Sequence, residues 1–382
     1  MDIKNKKILT YLAICFTLIS FALLAYLSIK HYDLKTGSSS SGSMCNISET
    51  FNCDAVSASS YSEFLSIPVS VWGAVAQTSL IILLLIYLFS GSVNALRMSF
   101  VLASINILAV IVMGGITLIF LSAYCLFCLL SYVSILFSFI FIFKLQDKVS
   151  FNFLNKDNRI YLAFLLGIPV AAYITNDMAL GESYRNLEKG IGFYILQWNN
   201  APQKEIPLLE AVSYGASEEN AKMTVVEFAD FNCIHCKHAA PVLHSFVKSH
   251  PDVRLLFYNF PLDGACNPSI QRQGVSCDMA KSVYCGHKLS SKGWDGHKAM
   301  FETERPQSLE ESIDLVQAKT GATKEDLAAC MKATETQETI EKQAKLGTEL
   351  GVQGTPTIFV NKKLLQGGNM LPVLKEVYKN IR

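Results

Sequence analysis

Tyr124-Cys125-Leu126-Phe127-Cys128 opens a stretch with no charged residue before Lys144. In a helix, Cys125 and Cys128 would lie one turn apart on one face. If that helix crosses a membrane, the two thiols sit where water gives way to lipid. A dithiol placed there can meet a lipid-soluble electron carrier on one side and a water-borne thiol on the other.

Composition agrees with a membrane part. The 382 residues allow two or three domains. With 51% hydrophobic and 17% charged residues, part of the chain belongs in a bilayer. A net charge of +1 gives no reason to expect nucleic acid as a partner. Eleven cysteines, spaced in pairs, point to redox chemistry, metal binding or both.

Upstream, residues 2–7 are short and basic, and 8–29 follow without a charge. That run meets the length of about 20 residues that a crossing needs. A cleaved signal peptide would have an apolar part of only about 7–15 residues and a small-residue cleavage site, so an uncleaved helix is expected. Residues 30–68 are polar and serine-rich, with 37–43 as a flexible stretch, and they carry Cys45 and Cys53. Apolar runs at 69–89, 98–121, 125–143 and 160–178 complete five expected helices, the last carrying Pro169. Lys4, Lys6, Lys7, Arg97, Lys144, Lys148, Lys156 and Arg159 then fall on one side, against Lys30 and Lys35 on the other. The basic side is cytoplasmic, so the amino terminus is expected inside. Cys45, Cys53, Cys125, Cys128 and the carboxy-terminal half would all lie outside.

Residues 179–220 read as a linker and 221–382 as a soluble domain. Met223 to Phe228 has a buried-strand pattern and leads to Cys233-Ile234-His235-Cys236 at the start of a helical run interrupted by Pro241. Helix amino-terminal amides stabilise a thiolate on Cys233, and His235 is expected to add positive charge. A stabilised thiolate favours the reduced form and makes the disulfide a stronger oxidant. Zinc would need a second ligand pair at ribbon-like spacing. Cys266, Cys277, Cys285 and Cys330 do not supply one, so no metal is expected. These four, outside the cell, are expected to form structural disulfides. Spacing alone leaves the connectivity open; Cys266 with Cys277 and Cys285 with Cys330 is the preferred pairing. Cys15 is expected to pack as a small buried hydrophobe. His238, His244, His287 and His297 are expected on the surface or on helix faces.

Residues 1–178 resemble the vitamin K epoxide reductase family. The resemblance rests on Cys45 and Cys53, Ser59 six residues after Cys53, Ile67-Pro68-Val69-Ser70-Val71-Trp72-Gly73, Cys125 to Cys128, and Tyr132. The remainder resembles a DsbA-type thioredoxin domain through Val226-Glu227-Phe228-Ala229-Asp230, the Cys233 motif and Gly354-Thr355-Pro356. The whole resembles the bacterial fusion of the two. It departs in having Ile234 where DsbA-type domains usually have proline, and Ser66 where a glycine is common. The fold implied is an all-α transmembrane bundle, a four-helix core plus a fifth helix, followed by an α/β thioredoxin-like domain with a helical insertion.

The activity implied is quinone-linked formation of protein disulfides. Reduced exported proteins would pass electrons to Cys233 and Cys236, then to Cys45 and Cys53, then to Cys125 and Cys128, and finally to ubiquinone or menaquinone. The resemblance places Cys128 and Tyr132 at the quinone, Ser59 near the loop, and Pro356 in a cis bond facing Cys233. It implies a bacterial inner membrane, with the thioredoxin domain periplasmic. A reductive relay and a membrane-tethered metal chaperone are the alternatives. The former needs a cysteine pair in the inner loops, and none is present there.

Overall fold

The computed structural model describes residues 3–37, 42–48, 50–121, 123–146, 158–302, 306 and 308–381. Residues 38–41 of the expected flexible stretch, and Lys148 and Lys156 of the charge count, lie outside the described residues. The chain divides into two compact units, Met1–Tyr32 with Ser43–Ser183, and Asp33–Gly42 with Tyr184–Arg382.

The first unit is built from α1 (Ile3–Thr36), α2 (Cys53–Ala58), the two-residue strands β1 (Glu63–Phe64) and β2 (Ile67–Pro68), α3 (Val69–Ser90), α4 (Val93–Phe120), α5 (Leu126–Leu145) and the start of α6 (Asn158–Asn200). Among the described residues α1, α3, α4 and α5 are long and apolar enough to cross a membrane. Their packing suits a lipid solvent. Leu108, Ile111, Leu118 and Phe143 face outward, whereas Thr17, Ser99, Ser131 and Ser138 are buried. Lipid gives leucine no reason to hide, so helices approach through small and hydroxyl-bearing faces. Thr17 and Ser138 hydroxyls lie 2.8 Å apart between α1 and α5, and Thr17 also donates to the Ala13 carbonyl. Cys15 differs from expectation: it is exposed, because an apolar position in a membrane helix need not face the protein interior.

Helix ends are set locally. Gly91 closes α3 in the left-handed region and donates its N–H to Tyr87 O. Ser92 then caps α4 by accepting from the Ala95 N–H. At about 1.5 Å per residue the 34 residues of α1 extend about 51 Å, past an apolar core of about 30 Å. Its last turns therefore reach beyond the lipid tails.

The expected helix 160–178 lies within α6, which runs on for 43 residues with a break at Gly181, φ 65°. The expected linker 179–220 is thus helical as far as Asn200. The reason is tertiary: the Trp198 indole is buried and donates to Val360 O at 3.1 Å, fixing the end of α6 on the sheet of the second unit.

That sheet has the order β3-β5-β4-β6-β7, from Val212–Gly215, Val253–Asn259, Met223–Ala229, Thr357–Val360 and Lys363–Leu364. β4 and β5 are parallel, with Met223 opposite Val253; β3 and β6 run antiparallel to their neighbours. Asn361 and Lys362 make the β6–β7 turn, both at positive φ. α7 (Ile234–Ser249), α12 (Thr334–Leu350) and α13 (Leu371–Ile381) complete a thioredoxin-like fold. α8 (Ser276–Leu289), α9 (Gly293–Glu302), α10 (Leu309–Thr320) and α11 (Lys324–Lys332) form the helical insertion. α7 continues through Pro241 instead of stopping there. The ring is buried, and core packing offsets the missing backbone bond. His244 and His297 also differ from expectation. His297 is buried and His244 half-buried, their rings 5.3 Å apart, and Trp294 stacks 4.4 Å from His297. Burial pushes both pKa values down, that of His244 to about 3, so they pack as neutral aromatic rings.

Candidate redox site

In the first unit the four cysteines are gathered at one end of the bundle. Cys45 and Cys53 are disulfide-bonded with Cα atoms 5.8 Å apart, and Cys125 and Cys128 with Cα atoms 5.2 Å apart. Cys45, Cys53 and Cys125 are buried in one cluster, packed against Cys128, Tyr26, Leu27 and Phe127. Two devices hold the pairs together. The Tyr124 N–H donates to Thr50 O at 2.7 Å and the Asn52 N–H to Tyr124 O at 2.9 Å, which fastens the strand before Cys53 to the residue before Cys125. Asn52 also caps α2, so Cys53 is its first residue. The second device is Asp54. Its carboxylate accepts from the Ser43 N–H at 3.0 Å, the Asn46 amide at 2.7 Å and the Ser43 hydroxyl, clamping the Cys45 loop onto α2. Tyr26 of α1 adds a bond from its hydroxyl, which accepts from the Met44 N–H at 3.0 Å.

Below the cluster lies a cavity of about 420 Å³ lined by Cys53, Cys125, Cys128, Ser59, Tyr132 and Trp72 among others, most of its wall apolar. Ser59 ends α2, and its hydroxyl donates to Val56 O at 2.7 Å. Tyr132 comes from α5, one turn beyond Cys128. The cavity therefore brings Ser59 and Tyr132 to the same space as Cys53, Cys125 and Cys128.

In the second unit Cys233 caps α7 and Cys236 follows in its first turn. Both are free thiols. The Cys233 pKa is lowered to about 5, first by a hydrogen bond from Cys236, against the opposing effect of burial, then through Thr355 and the backbone N–H groups of Cys236 and His235. His235 thus acts on the thiolate through its amide. Its side chain is exposed. Burial raises the Cys236 thiol well above its ordinary value, with Cys233 and Glu227 adding to the rise. The Thr355–Pro356 bond is cis, and Thr355 O lies 3.4 Å from the Cys233 sulfur. Asp230 orders the approach to the motif by accepting from the N–H groups of Asn232 and Leu262 and from the Ser276 hydroxyl.

Residues 11–143 match the Vitamin K epoxide reductase family, and residues 224–379 match the DSBA-like thioredoxin domain. The chain joins a vitamin K epoxide reductase region to a DsbA-like domain. It is a thiol–disulfide oxidoreductase. Disulfide bond formation protein D of Bacillus subtilis is 26% identical over 159 residues, 39% of this chain and 68% of that protein. The crystal structure of oxidised BdbD from Bacillus subtilis is 24% identical with a TM-score of 0.39, covering 48% of this chain and 98% of the other. The thiol-disulfide exchange protein alpha-DsbA2 from Wolbachia pipientis is 23% identical with a TM-score of 0.40, covering 53% of this chain and 100% of the other.

Farther out in the DsbA-like domain, Cys266 is bonded to Cys277 and Cys285 to Cys330. Two polar residues of the site were given no role from the sequence. Glu227 of β4 is fully buried, and burial, with the Cys233 charge, raises its pKa to about 8. A carboxylate inside an otherwise apolar strand was the available signal. Asp54 had none, since its partners are fixed only when the Cys45 loop folds back.

Proposed function

We propose that the protein oxidises cysteine pairs of exported proteins and delivers the electrons to a membrane quinone, ubiquinone or menaquinone. A substrate thiolate attacks the Cys233–Cys236 disulfide at Cys233, and the second substrate thiolate releases the domain as a dithiol. Cys233 then attacks Cys45, Cys236 resolves that mixed disulfide, and Cys53 exchanges with the Cys125–Cys128 pair. Each step is thiolate attack on a disulfide, breaking one S–S bond as another forms. One cycle makes one substrate disulfide and moves two electrons and two protons. A quinone in the cavity supplies the oxidant, taking up those electrons and protons as it becomes the hydroquinone. Cys128 and Tyr132 line the cavity that would hold it, Tyr132 with a hydroxyl able to hydrogen-bond a ring oxygen, and Ser59 orders the neighbouring end of α2. Glu227 in its carboxylate form, with a pKa raised to about 8, accepts the proton that buried Cys236 must shed before it can attack. We read residues 160–178 within α6 as a fifth crossing of the bacterial inner membrane, with the amino terminus cytoplasmic and the DsbA-like domain periplasmic. Both cysteine pairs of the reductase region then share its compartment.

The observation that carries this reading is the shared burial of Cys45, Cys53 and Cys125 above a cavity that Cys53, Cys125 and Cys128 line. The test is quinone reduction in detergent, driven by a reduced, unfolded cysteine-containing protein. Turnover that is lost in both Cys233→Ala and Cys128→Ala supports the relay from end to end. Survival in Cys233→Ala removes the outer domain from the obligatory path. No turnover with any quinone overturns the reading.

A further inference from the structure

Most buried polar side chains of the bundle are satisfied. Ser99 and Ser131 donate to carbonyls of their own helices, as Thr17 does. Two amides are different. Among the described residues, both polar atoms of Gln77 and the Nδ2 of Asn106 are buried without a hydrogen-bond partner. Gln77 is 1% exposed on α3 and Asn106 8% exposed on α4. Both line the cavity that holds Cys128 and Tyr132. An unsatisfied amide is costly in an apolar setting, and lipid offers no water to relieve it. Ala76 and Leu102, which line the same cavity, have nothing to offer it.

We propose that Gln77 and Asn106 are the polar recognition groups for the ring of the electron acceptor. This rests on the quinone reading and says which side chains select the head group. An amide nitrogen donates to a ring carbonyl, and the Gln77 carbonyl oxygen accepts from the hydroxyl that replaces it on reduction. One glutamine can therefore hold either redox state. A third polar contact, from Tyr132 on α5, makes the site select an oxygen-bearing ring over a hydrocarbon of the same size. Apolar walls alone would not discriminate, whereas a buried polar group left unpaired penalises the analogue that lacks its partner.

The experiment uses the full chain in detergent, wild type against Gln77→Leu and Asn106→Leu, with a soluble short-chain quinone and its carbonyl-free aromatic analogue. Three quantities are read: the thermal midpoint without additive, its increase on adding quinone or analogue, and KM and kcat. Each leucine variant is expected to unfold no earlier than wild type, because an unsatisfied amide is gone. It is expected to lose most of the quinone-induced increase and to raise KM roughly tenfold, the loss of one hydrogen bond. Discrimination between quinone and analogue should shrink in parallel. Early unfolding with unchanged KM would make the amides structural and overturn the proposal, as would a wild-type KM and quinone increment in both variants. If wild type itself neither turns over nor gains stability with quinone, the quinone reading fails first, and that result is distinct from the other two.

Discussion

The two halves of the molecule handle sulfur in opposite ways. In the DsbA-like domain the reactive thiol is half-buried, and hydrogen bonds bring its pKa to about 5. In the reductase region Cys45, Cys53 and Cys125 are almost wholly buried, 0%, 3% and 3% exposed, and the surroundings fix where they are. One region controls how readily a thiolate leaves or attacks; the other controls which sulfur is within reach. A domain that meets many substrates needs the first kind of control. A relay with fixed neighbours needs the second.

The sharpest way to separate the halves is to disable each in turn. Cys128→Ala should reduce multiple turnover to the uncatalysed background yet leave a burst of at most two equivalents of substrate oxidation, one from Cys233–Cys236 and one from Cys45–Cys53, measured by thiol titration. Cys233→Ala should abolish turnover with a protein substrate, while a small dithiol that reaches Cys45 directly still drives quinone reduction. Identical losses in every assay would erase the division of labour.

The next contrast lies between the disulfides that the proposed relay opens in each cycle and those it leaves closed. The Cys285–Cys330 bond spans 45 residues and Cys266–Cys277 spans 11. Chain entropy gives about 4 kcal/mol for the longer loop and about 3 kcal/mol for the shorter. Replacing each pair by serine should lower denaturant stability in that order and leave the single-turnover exchange of Cys233 intact.

Glu227 sharpens the account of the DsbA-like side through pH. Its folded pKa of about 8 lies above the ordinary 4.5, so between those values the folded state binds more protons than the unfolded one. Stability is then lost as pH rises from about 4.5 to 8. Glu227→Gln should flatten that slope and be the more stable protein at pH 8, by about 4 kcal/mol. It should also slow the attack by which Cys236 resolves the mixed disulfide on Cys233. Cys233 has the opposite sign. Its depressed pKa stabilises the reduced domain at neutral pH, an effect that fades as pH falls through about 5, and thiolate absorbance should titrate there.

The sequence was most legible where one physical constraint dominates. A charge-free run long enough to cross a bilayer has few alternatives, and α1, α3, α4 and α5 follow from it. A strand ending in two cysteines three apart is similarly restricted. Legibility failed where the partner is remote. The end of α6 is held by Trp198 reaching Val360, and nothing near Trp198 announces that bond. His244 and His297 looked like surface residues because histidine usually is one; only the cluster of Trp294, Phe257 and Phe301 around them makes burial affordable. Gln77 and Asn106 sit in helices whose hydropathy hides them, since one amide barely alters the average of twenty apolar neighbours.

The smallest perturbation probes positional control directly. Asp54 holds the Cys45 loop by accepting from three donors on Ser43 and Asn46. Asp54→Asn keeps the shape but replaces one acceptor oxygen with an amide nitrogen, so one donor must face another. Losing that bond and leaving a buried donor unpaired should cost about 1–2 kcal/mol. The cost falls on the loop, because α2 keeps its Asn52 cap and the Tyr124 bridge does not involve Asp54. Cys53 should therefore stay beside Cys125 while Cys45 becomes mobile. The expected readouts are faster exchange of Cys45 with an external thiol and slower quinone turnover, with the thiolate titration of Cys233 unmoved. If turnover and loop exchange both stay at wild-type values, position in the reductase region is set by the disulfides alone, and the contrast with the DsbA-like domain loses its structural basis.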